Sequence, residues 1–487
     1  MKKVLAAVLA LAAFVGCNSA PENPVLTIEG GKIQGVLTES EGVYVYRGIP
    51  YAAPPINELR WKAPQPVIPW EGVKVCDRFG HPGYQAVHYE GGYTTEWGYG
   101  AESPYSEDCL YLNVWTPAPG KTDAKLPVAL WIHGGGYREG WGSEPEFDAQ
   151  AWASKGVILV SINYRLGVFG FLTHPELSAE SPEGVSGNYG ILDQIESLKW
   201  IRKNIEQFGG DPDNVMIFGQ SAGGGSVKTL CESPLARGLF HKAIIMSAGG
   251  ITVPSPETQA APAGRMRFAP ANLQEAEAGV KKVMDWAGFD NLQKMRKAST
   301  EMLYTVGNFY NAVNKTYAPV TGSPIVEGYV CTKSFDDAAL SGTLADVPYM
   351  IGYTLNDMGD MAGGIAAFCA NREKLGSKAY AYEFARPLPD DGSHPEVTAR
   401  LKGAFHSSDL WYVFKSLQHC WRPWTKGDWD LSEKMLTAWT NFAKYSDPNG
   451  PQPGEWTPCT EANPSFMLFK LDGNDAEASE MGAPIRP

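Results

Sequence analysis

The stretch VMIFGQSAGG, residues 215–224, determines the expected fold of this 487-residue chain. A short apolar run typical of a buried strand enters a GxSxG turn centred on Ser221, and the small residues after it can open a helix. So sharp a strand-to-helix turn strains the serine backbone and leaves no room for side chains at Gly219 and Gly223. The pattern predicts a serine nucleophile near a helix N-terminus, where developing negative charge is stabilised.

A second glycine-rich turn lies upstream, in WIHGGGY, residues 131–137, at the end of another apolar run. Acyl transfer places negative charge on a carbonyl oxygen, and backbone N–H groups without side chains in the way can hold that charge. A Gly-rich loop can be purely structural. An HGGG turn on a strand end, upstream of GxSxG, favours acyl-transfer chemistry instead.

Apolar runs and helical patterns alternate along the rest of the chain. Buried strands are expected at 127–133, 157–164, 215–218, 243–246 and 347–353, and a helix at 191–208. This alternation predicts one α/β domain over residues 18–487, with a mainly parallel central sheet and helices on both faces. Residues 252–321 are expected to form a helical insertion, and the Pro-rich segment 47–55 a fixed loop.

Composition limits the partners and cofactors. The chain has 41 basic and 54 acidic residues, a net charge of −13 and no Lys/Arg block, which argues against nucleic acid as a partner. It carries no HExxH and no CxxC motif, and its histidines are scattered, so no metal site is predicted. Acyl transfer by a serine requires no organic cofactor.

The N-terminus has the features of a targeting segment, residues 1–17. Lys2 and Lys3 precede the apolar run 4–15, which is too short to span a bilayer, and Cys17 follows. This resembles a bacterial lipoprotein signal, in which the cysteine is acylated, so we expect an exported cell-envelope protein whose lipid anchor is its sole membrane contact. A plain secretory peptide cut near Ala20 is the alternative, with a periplasmic or secreted product.

Several sequence blocks resemble the type-B carboxylesterases, relatives of the cholinesterases with the α/β-hydrolase fold. They extend over nearly the whole mature chain: YRGIPYA at 46–52, SEDCLYLNV at 106–114, NYR at 163–165, FGGDP at 208–212, FGQSAGG at 218–224, GAFH at 403–406, FAK at 442–444 and DPN at 447–449. The resemblance implies a serine enzyme that hydrolyses small-molecule carboxylic esters through an acyl-enzyme intermediate.

The resemblance also assigns catalytic roles. His406 matches the general base; from the residues alone, His81, His88 and His419 are equal candidates. The acid position, Glu-Gly in the family, falls on Asp357-Met358, and the competing acids are Asp346, Asp360 and Asp409. The implied oxyanion donors are the N–H groups of Gly135, Gly136 and Ala222.

Two further expectations concern cysteines and an aromatic residue. By resemblance, Cys76 and Cys109 form the family's disulfide, which closes an early loop; Cys369 with Cys459 is a second suggested pair. Trp97 resembles the loop tryptophan that binds cationic substrates in cholinesterases, and core packing is its alternative role.

Two rival functions deserve comparison with ester hydrolysis. Cell-surface relatives of this family act in adhesion after losing the nucleophile, whereas Ser221, His406 and a carboxylate are retained here. A lipase would need an amphipathic lid, and the sequence contains no clear one. Both comparisons favour a carboxylesterase.

Overall fold

The computed structural model describes residues 23–86, 92–97, 104–253, 272–315, 322–473 and 475–485. Its strands follow the expected apolar runs. In chain order they are β1 Val25–Ile28, β2 Gly31–Gln34, β3 Val36–Leu37, β4 Tyr44–Pro50, β5 Val73–Val75, β6 Tyr111–Thr116, β7 Leu126–Ile132, β8 Ile158–Ile162, β9 Gly210–Gln220, β10 Lys242–Met246, β11 Tyr349–Thr354, β12 Ala379–Phe384, β13 Phe466–Phe469 and β14 Glu480–Gly482.

The large sheet has the order β14-β13-β12-β11-β10-β9-β7-β8-β6-β4-β3, and β1-β2-β5 form a small separate sheet. Neighbouring strands from β8 through β13 run parallel, and antiparallel strands complete both edges. The predicted mainly parallel sheet is therefore confirmed. Ile132 pairs with Gly219, and Met246 pairs with both Gln220 and Gly352. The loops after β7, β9, β10 and β11 consequently emerge at one edge of the sheet.

The helices cover both faces of this sheet, as expected. They are α1 Tyr93–Trp97, α2 Gln150–Ser154, α3 Gly167–Phe171, α4 Pro175–Glu180, α5 Tyr189–Asn204, α6 Ala222–Glu232, α7 Leu273–Trp286, α8 Leu292–Lys297, α9 Thr300–Asn314, α10 Phe335–Leu340, α11 Ala362–Lys374, α12 Pro395–Thr398, α13 Leu410–Phe414 and α14 Lys426–Tyr445. Alternate residues of β7 enter two cores: Leu130 packs with α5 and α6, and Trp131 packs with α13 and α14.

The expected insertion at 252–321 is helical where it is described. Helices α7, α8 and α9 lie there, and residues 254–271 and 316–321 fall outside the described part. Val283, Met295 and Leu303 form a third core with Val168 and Phe169 beside α3.

The prediction that all of 47–55 is loop is wrong for its first part, because β4 extends to Pro50. Ile49 and Pro50 pair with Leu112 and Tyr111, after a bulge that begins at Tyr46. On its other side, β4 pairs with β3 only at Tyr44 and Val45, so no β3 residue faces Pro50. Proline is tolerated at such a position because no ladder bond needs its missing N–H.

The expected disulfide between Cys76 and Cys109 is not formed, and both are buried free cysteines. The segment that returns to the neighbourhood of Cys109 is Pro82-Gly83, where the Ser106 N–H donates to the Pro82 carbonyl at 3.0 Å. Cys76 lies several residues earlier, where its carbonyl accepts from the Arg47 N–H at 2.9 Å. The loop is therefore closed by the backbone contact between Pro82 and Ser106, whereas Cys76 lies beside Arg47 of β4.

Candidate active site

The nucleophile turn connects β9 to α6 with Ser221 between them. Ser221 has φ 58° and ψ −123°, a strained conformation for a residue with a side chain. A Cβ at Gly219 would lie 2.5 Å from the Gly223 carbonyl carbon and 2.7 Å from the Ile132 carbonyl oxygen, and one at Gly223 would lie 2.0 Å from that same oxygen. Because the obstacles are backbone atoms of the first turn of α6 and of β7, which cannot move aside, the two motif glycines are required for the turn to fit against its neighbours.

The backbone of Ser221 is fixed on both sides. Its N–H donates to the Met246 carbonyl at 2.9 Å, and its own carbonyl accepts from the Gly225 N–H at 2.9 Å, which begins α6. The serine is therefore anchored to β10 and placed at a helix N-terminus, where negative charge is favoured.

The HGGG turn lies directly beside the nucleophile. A Cβ on Gly134 would come within 3.2 Å of the Ser221 Cβ. Gly135 and Gly136 have φ of 91° and 62°, so both use conformations that favour glycine. Among the described residues, no backbone acceptor binds the N–H groups of Gly135, Gly136 or Ala222. Ala222 follows Ser221 directly, and Gly135 and Gly136 follow the glycine that packs against it, so the three predicted oxyanion donors belong to the two turns that meet at Ser221.

His406 and Asp357 meet at the same edge of the sheet. The His406 Nδ1 lies 2.6 Å from the Asp357 Oδ1, and the Asp357 side chain is fully buried. The carboxylate also accepts from the Met358 N–H at 2.7 Å and from the Thr354 hydroxyl at 3.1 Å. Since an ionised carboxylate only accepts, the Nδ1 of His406 carries the proton and the Nε2 of the neutral ring is unprotonated.

Asn356, which the sequence reasoning did not identify, joins the loops that carry these two side chains. Its N–H donates to the Ala404 carbonyl at 3.0 Å, and its Oδ1 accepts from the Ala404 N–H at 2.9 Å. Gly403 makes room for this contact, because a Cβ there would lie 2.1 Å from the Asn356 Oδ1. Local sequence carries no signal for this contact, which joins segments that are distant along the chain.

The competing acids have other partners. Asp346 pairs with Arg372 at 2.7 Å, and Asp360 accepts from the Ala362 N–H at the start of α11. Asp409 is buried beside the site, where its Oδ2 accepts from the Tyr382 hydroxyl at 3.1 Å. Among the described candidates, Asp357 is the acid that contacts His406.

The competing histidines are placed away from this pair. His81 lies near the surface, with its Nδ1 3.1 Å from the Pro104 carbonyl, and His419 pairs with Asp148 at 3.0 Å. His88 falls outside the described residues, as does Cys17.

Burial and pairing set the charges at the site. Burial acts to raise the pKa of Asp357, but the hydrogen bonds that its carboxylate accepts, first from His406 and then from the Met358 N–H, outweigh burial and hold that pKa below its usual value. For Asp409, burial and the nearby Asp357 charge raise the pKa to about 7. The two neighbouring carboxyl groups are thus driven in opposite directions, with Asp357 kept ionised.

Helix α1 packs against the loop of His406. The Tyr93 hydroxyl donates to the His406 carbonyl at 2.9 Å, and the Tyr93 ring stacks on Trp97 with centroids 6.0 Å apart. Trp97 itself is only 5% exposed and packs on Trp411, which favours its core-packing role, whereas Tyr93 is 38% exposed. Tyr93 is therefore the exposed aromatic residue of α1.

In the described part of the chain, no group of three or more His, Cys, Asp or Glu side chains is arranged to hold a metal ion.

Comparisons with known proteins agree on one family. The model of the carboxylesterase family matches residues 22–372 and 361–482. Para-nitrobenzyl esterase of Bacillus subtilis (strain 168) is 33% identical over 468 residues, which cover 87% of this chain and 90% of that protein. Fumonisin B1 esterase of Sphingopyxis macrogoltabida is 35% identical over 383 residues, which cover 77% of this chain and 65% of that enzyme.

Solved structures show the same likeness. A PNB esterase superposes with a TM-score of 0.73 and 26% identity, covering 94% of this chain and 97% of the other. The carboxylesterase EST55 of Geobacillus stearothermophilus gives a TM-score of 0.73 and 27% identity, with the same coverage. The likeness therefore extends over nearly the full length of these proteins.

Proposed function

The chain belongs to the carboxylesterase family, and from that premise we propose that Ser221, His406 and Asp357 form the triad with which it hydrolyses carboxylic esters. The observation that carries the proposal is the convergence of three separate loops at one sheet edge. The strained Ser221 lies beside the HGGG turn, and a 2.6 Å contact joins His406 to the buried Asp357.

In the first step, the Ser221 Oγ attacks the ester carbonyl carbon while its proton passes to the Nε2 of His406. The N–H groups of Gly135, Gly136 and Ala222 hold the negative charge that develops on the carbonyl oxygen. The C–O bond to the alcohol then breaks, and the alcohol oxygen takes the proton from His406. Water repeats these steps on the acyl-enzyme and releases the carboxylic acid.

Replacement of the nucleophile tests the proposal. We expect Ser221→Ala to lower the kcat for p-nitrophenyl acetate by about 10⁶-fold with the fold preserved. Ser341 is an exposed serine at the C-terminal end of α10, and Ser341→Ala is the matched control, which should retain full activity. An organophosphate should label the peptide that contains Ser221, and EDTA should leave the rate unchanged. Full activity in Ser221→Ala, or its loss with EDTA, contradicts the assignment.

We also propose that the substrate is a small-molecule ester. Support comes from the long alignment with para-nitrobenzyl esterase and from the exposed Tyr93 ring beside His406. A panel of p-nitrophenyl esters of increasing acyl length, together with p-nitrobenzyl esters, measures the acyl and alcohol preferences separately. A preference for emulsified long-chain esters would indicate a lipase instead.

Export through a lipoprotein signal remains a proposal, supported by Lys2, Lys3, the apolar run and Cys17. In the described residues, the structure contains no helix that is both long enough and apolar enough to cross a membrane. We expect Cys17→Ser to move the protein from the membrane fraction to the soluble fraction, since several acyl chains anchor a protein firmly. A wild-type protein found wholly in the soluble fraction would favour the plain secretory peptide.

A further inference from the structure

Tyr137 directly follows the HGGG turn, and its backbone continues the unusual conformation of that turn. Its φ is 61°, after 91° at Gly135 and 62° at Gly136, and this left-handed region favours glycine over a residue with a side chain. Such a conformation persists only where the surrounding structure holds it. The contacts of Tyr137 therefore decide how firmly the end of the turn is fixed.

The contacts of Tyr137 reach α3 on one side and α6 on the other. Its carbonyl accepts from the Gly167 N–H at 2.7 Å, and its ring meets the Phe171 ring edge to face, with centroids 5.2 Å apart. Its phenol oxygen lies against α6, because a Cβ on Gly225 would come within 2.4 Å of that oxygen. Burial raises the pKa of the phenol, and its interaction with Ser226, the next residue of α6, acts to lower that pKa. The side chain thus bridges from the HGGG turn to the helix that follows the nucleophile.

Gly225 has no requirement of its own backbone to be glycine. It lies in the first turn of α6, where its N–H donates to the Ser221 carbonyl at 2.9 Å, and its φ is not in the left-handed region. Alanine is the better helix former at such a position. A Cβ on Gly219 or Gly223 would strike backbone, whereas among the described residues outside the helix a Cβ on Gly225 would meet only the Tyr137 side chain. The absence of a side chain at Gly225 therefore makes room for the phenol.

Packing restrains the first part of the HGGG turn more than its end. A Cβ on Gly134 would lie 3.2 Å from the Ser221 Cβ, and one on Gly135 would lie 2.1 Å from the Glu139 carbonyl oxygen. A Cβ on Gly136 would meet no heavy atom of the described residues within 4 Å. The position of Gly136 consequently depends on the residue that follows it.

We propose that Tyr137 is a positioning residue whose side chain fixes the end of the HGGG turn against α6 and thereby holds the Gly136 N–H at the nucleophile. Tyr137 acts through the backbone of the turn, so its displacement weakens the stabilisation of the charge that develops on the ester carbonyl oxygen. This inference rests on the proposed roles of Ser221 as nucleophile and of the turn as oxyanion donor.

Gly225→Ala tests this by pushing the phenol away from α6. Ordinary contact with a carbon atom begins at about 3.5 Å, so the phenol oxygen must retreat by about 1 Å from the new methyl group. Because a misplacement of about 1 Å can cost about 10²-fold in rate, we expect kcat for p-nitrophenyl acetate to fall by at least about 10-fold. KM should change little, since an interaction made in the transition state is the one lost.

Tyr137→Phe supplies the decisive comparison. Phenylalanine keeps the ring that packs on Phe171 and removes the oxygen that a methyl group at 225 would strike. The ring Cζ would lie 3.5 Å from that methyl group, which is ordinary contact. We expect Tyr137→Phe alone to lower kcat slightly, because it leaves a gap at Gly225, and the double variant Tyr137→Phe/Gly225→Ala to have a higher kcat than either single variant.

Inhibition by a trifluoromethyl ketone separates the position of the turn from damage to the fold. The serine oxygen adds to the ketone carbonyl carbon, and the carbonyl oxygen takes the negative charge that an ester develops in the transition state. The inhibition constant should rise in Gly225→Ala by about the factor that kcat/KM loses, and it should fall again in the double variant. Active sites are counted by titration with a phosphonate, so a loss of folded enzyme does not enter the rates.

Gly279→Ala is the matched control. Gly279 is also a helical glycine, on α7, and a Cβ there would meet no heavy atom within 4 Å in the described part of the chain. This variant makes the same chemical change without touching the HGGG turn. Its kcat and its affinity for the ketone should equal those of the wild type.

The inference is overturned if Gly225→Ala keeps the wild-type kcat, if the double variant loses as much as Gly225→Ala, or if kcat falls while the affinity for the ketone stays unchanged. If Gly225→Ala is not recovered folded, Tyr137→Leu decides, because it removes the ring that spans the turn and α6. An unchanged affinity for the ketone in Tyr137→Leu overturns the inference. The proposed function fails by a different result, namely activity retained in Ser221→Ala.

Discussion

At the residue scale, Asp357 shows how the fold accommodates an aspartate where the family pattern has a glutamate. An aspartate reaches about 1.5 Å less far than a glutamate, the length of one C–C bond, so its backbone must lie closer to His406. Asn356 provides that approach, because its two hydrogen bonds with the backbone of Ala404 draw the Asp357 turn towards the His406 loop. Met358 is 72% exposed on the outer side of this turn, where a side chain causes no conflict.

We expect Asp357→Asn to lower kcat by about 10⁴-fold, because an amide in place of the carboxylate favours the wrong imidazole tautomer. Asp360→Asn is the matched control, since asparagine can keep the contact to the Ala362 N–H, and its kcat should stay near wild type. The measurement is kcat for p-nitrophenyl acetate with active sites titrated. Comparable losses in both variants would show that the acid had been assigned to the wrong residue.

The buried Asp409 should make the free energy of unfolding depend on pH. Its pKa in the folded protein is about 7, against about 3.9 in an unfolded chain. Between these values the folded state holds a proton that the unfolded chain has lost, so the Asp409 contribution lowers the free energy of unfolding as the pH rises from about 4 to about 7. We expect Asp409→Asn to remove this contribution and to flatten the dependence, as measured by urea unfolding at pH 5 and pH 8.

Other buried carboxyl groups act in the same direction, including Glu144, for which burial raises the pKa to about 7. The difference between wild type and variant therefore isolates Asp409. The exposed Asp390 serves as control, and Asp390→Asn should keep the wild-type slope. An Asp409→Asn slope equal to that of wild type would mean that Asp409 is ionised in the folded protein at neutral pH.

At the scale of elements, α1 is held to the His406 side of the molecule by a buried ion pair. Arg422 donates to both oxygens of Glu96, at 2.6 Å to Oε2 and 2.8 Å to Oε1, and both side chains are almost completely buried. The Trp411 indole donates to Glu96 as well, at 3.2 Å. Because α1 is only five residues long, we infer that the contacts of Glu96 with Arg422 and Trp411 hold it in place and so keep Tyr93 against the His406 carbonyl.

We expect Glu96→Gln to lower the free energy of unfolding by about 3–5 kcal/mol, because it leaves Arg422 buried without its counter-charge. Tyr93→Phe removes one hydrogen bond to a backbone carbonyl and should cost about 1 kcal/mol. Chemical denaturation of the two variants measures the difference. If Glu96→Gln were no less stable than Tyr93→Phe, the ion pair would contribute little to the attachment of α1.

Sequence patterns predicted strands and helices well where the burial of apolar side chains alone determines the secondary structure. The five apolar runs lie on β7 to β11, and the expected helix at 191–208 is α5 followed by a 3-10 turn at Ile205–Phe208. The pattern failed at β4, where a bulge and a missing neighbour let Gly48 and Pro50 sit in a strand. Such exceptions depend on which strands are adjacent, and local propensity does not contain that information.

At the scale of the whole molecule, contacts between distant segments were the hardest to predict. GxSxG and HGGG are local patterns whose geometry follows from strand ends and glycine, so their meeting at one sheet edge could be anticipated. The Asn356 contact with Ala404 and the Gln220 contact with His406 depend on the packing of separate loops. Resemblance to a family suggested Cys76 for a disulfide, but the fold brings Pro82-Gly83 to the neighbourhood of Cys109 instead.

The other suggested cysteine pair is brought together by the fold. Cys369 on α11 and Cys459 before β13 are both buried free cysteines, and their interaction lowers the pKa of Cys459 and, with burial, raises that of Cys369. Nearby contacts fix the same junction: the Cys459 N–H donates to Ala379, and Lys374 pairs with Glu461 at 3.0 Å. Two thiols held in contact can be joined with little movement of the backbone.

We therefore expect a disulfide oxidant, such as oxidised glutathione, to join Cys369 to Cys459 and to leave Cys76 and Cys109 as thiols. The link would close a loop of about 90 residues, for which the chain-entropy model gives about 4–5 kcal/mol of stabilisation. Mass mapping of unreduced peptides identifies the pair, and urea unfolding with and without reductant measures its effect. Cys369→Ser should abolish the difference between these two conditions, whereas Cys76→Ser should leave it intact. A peptide linking Cys76 to Cys109, with Cys369 and Cys459 both free, would contradict the contacts that the fold makes at both sites.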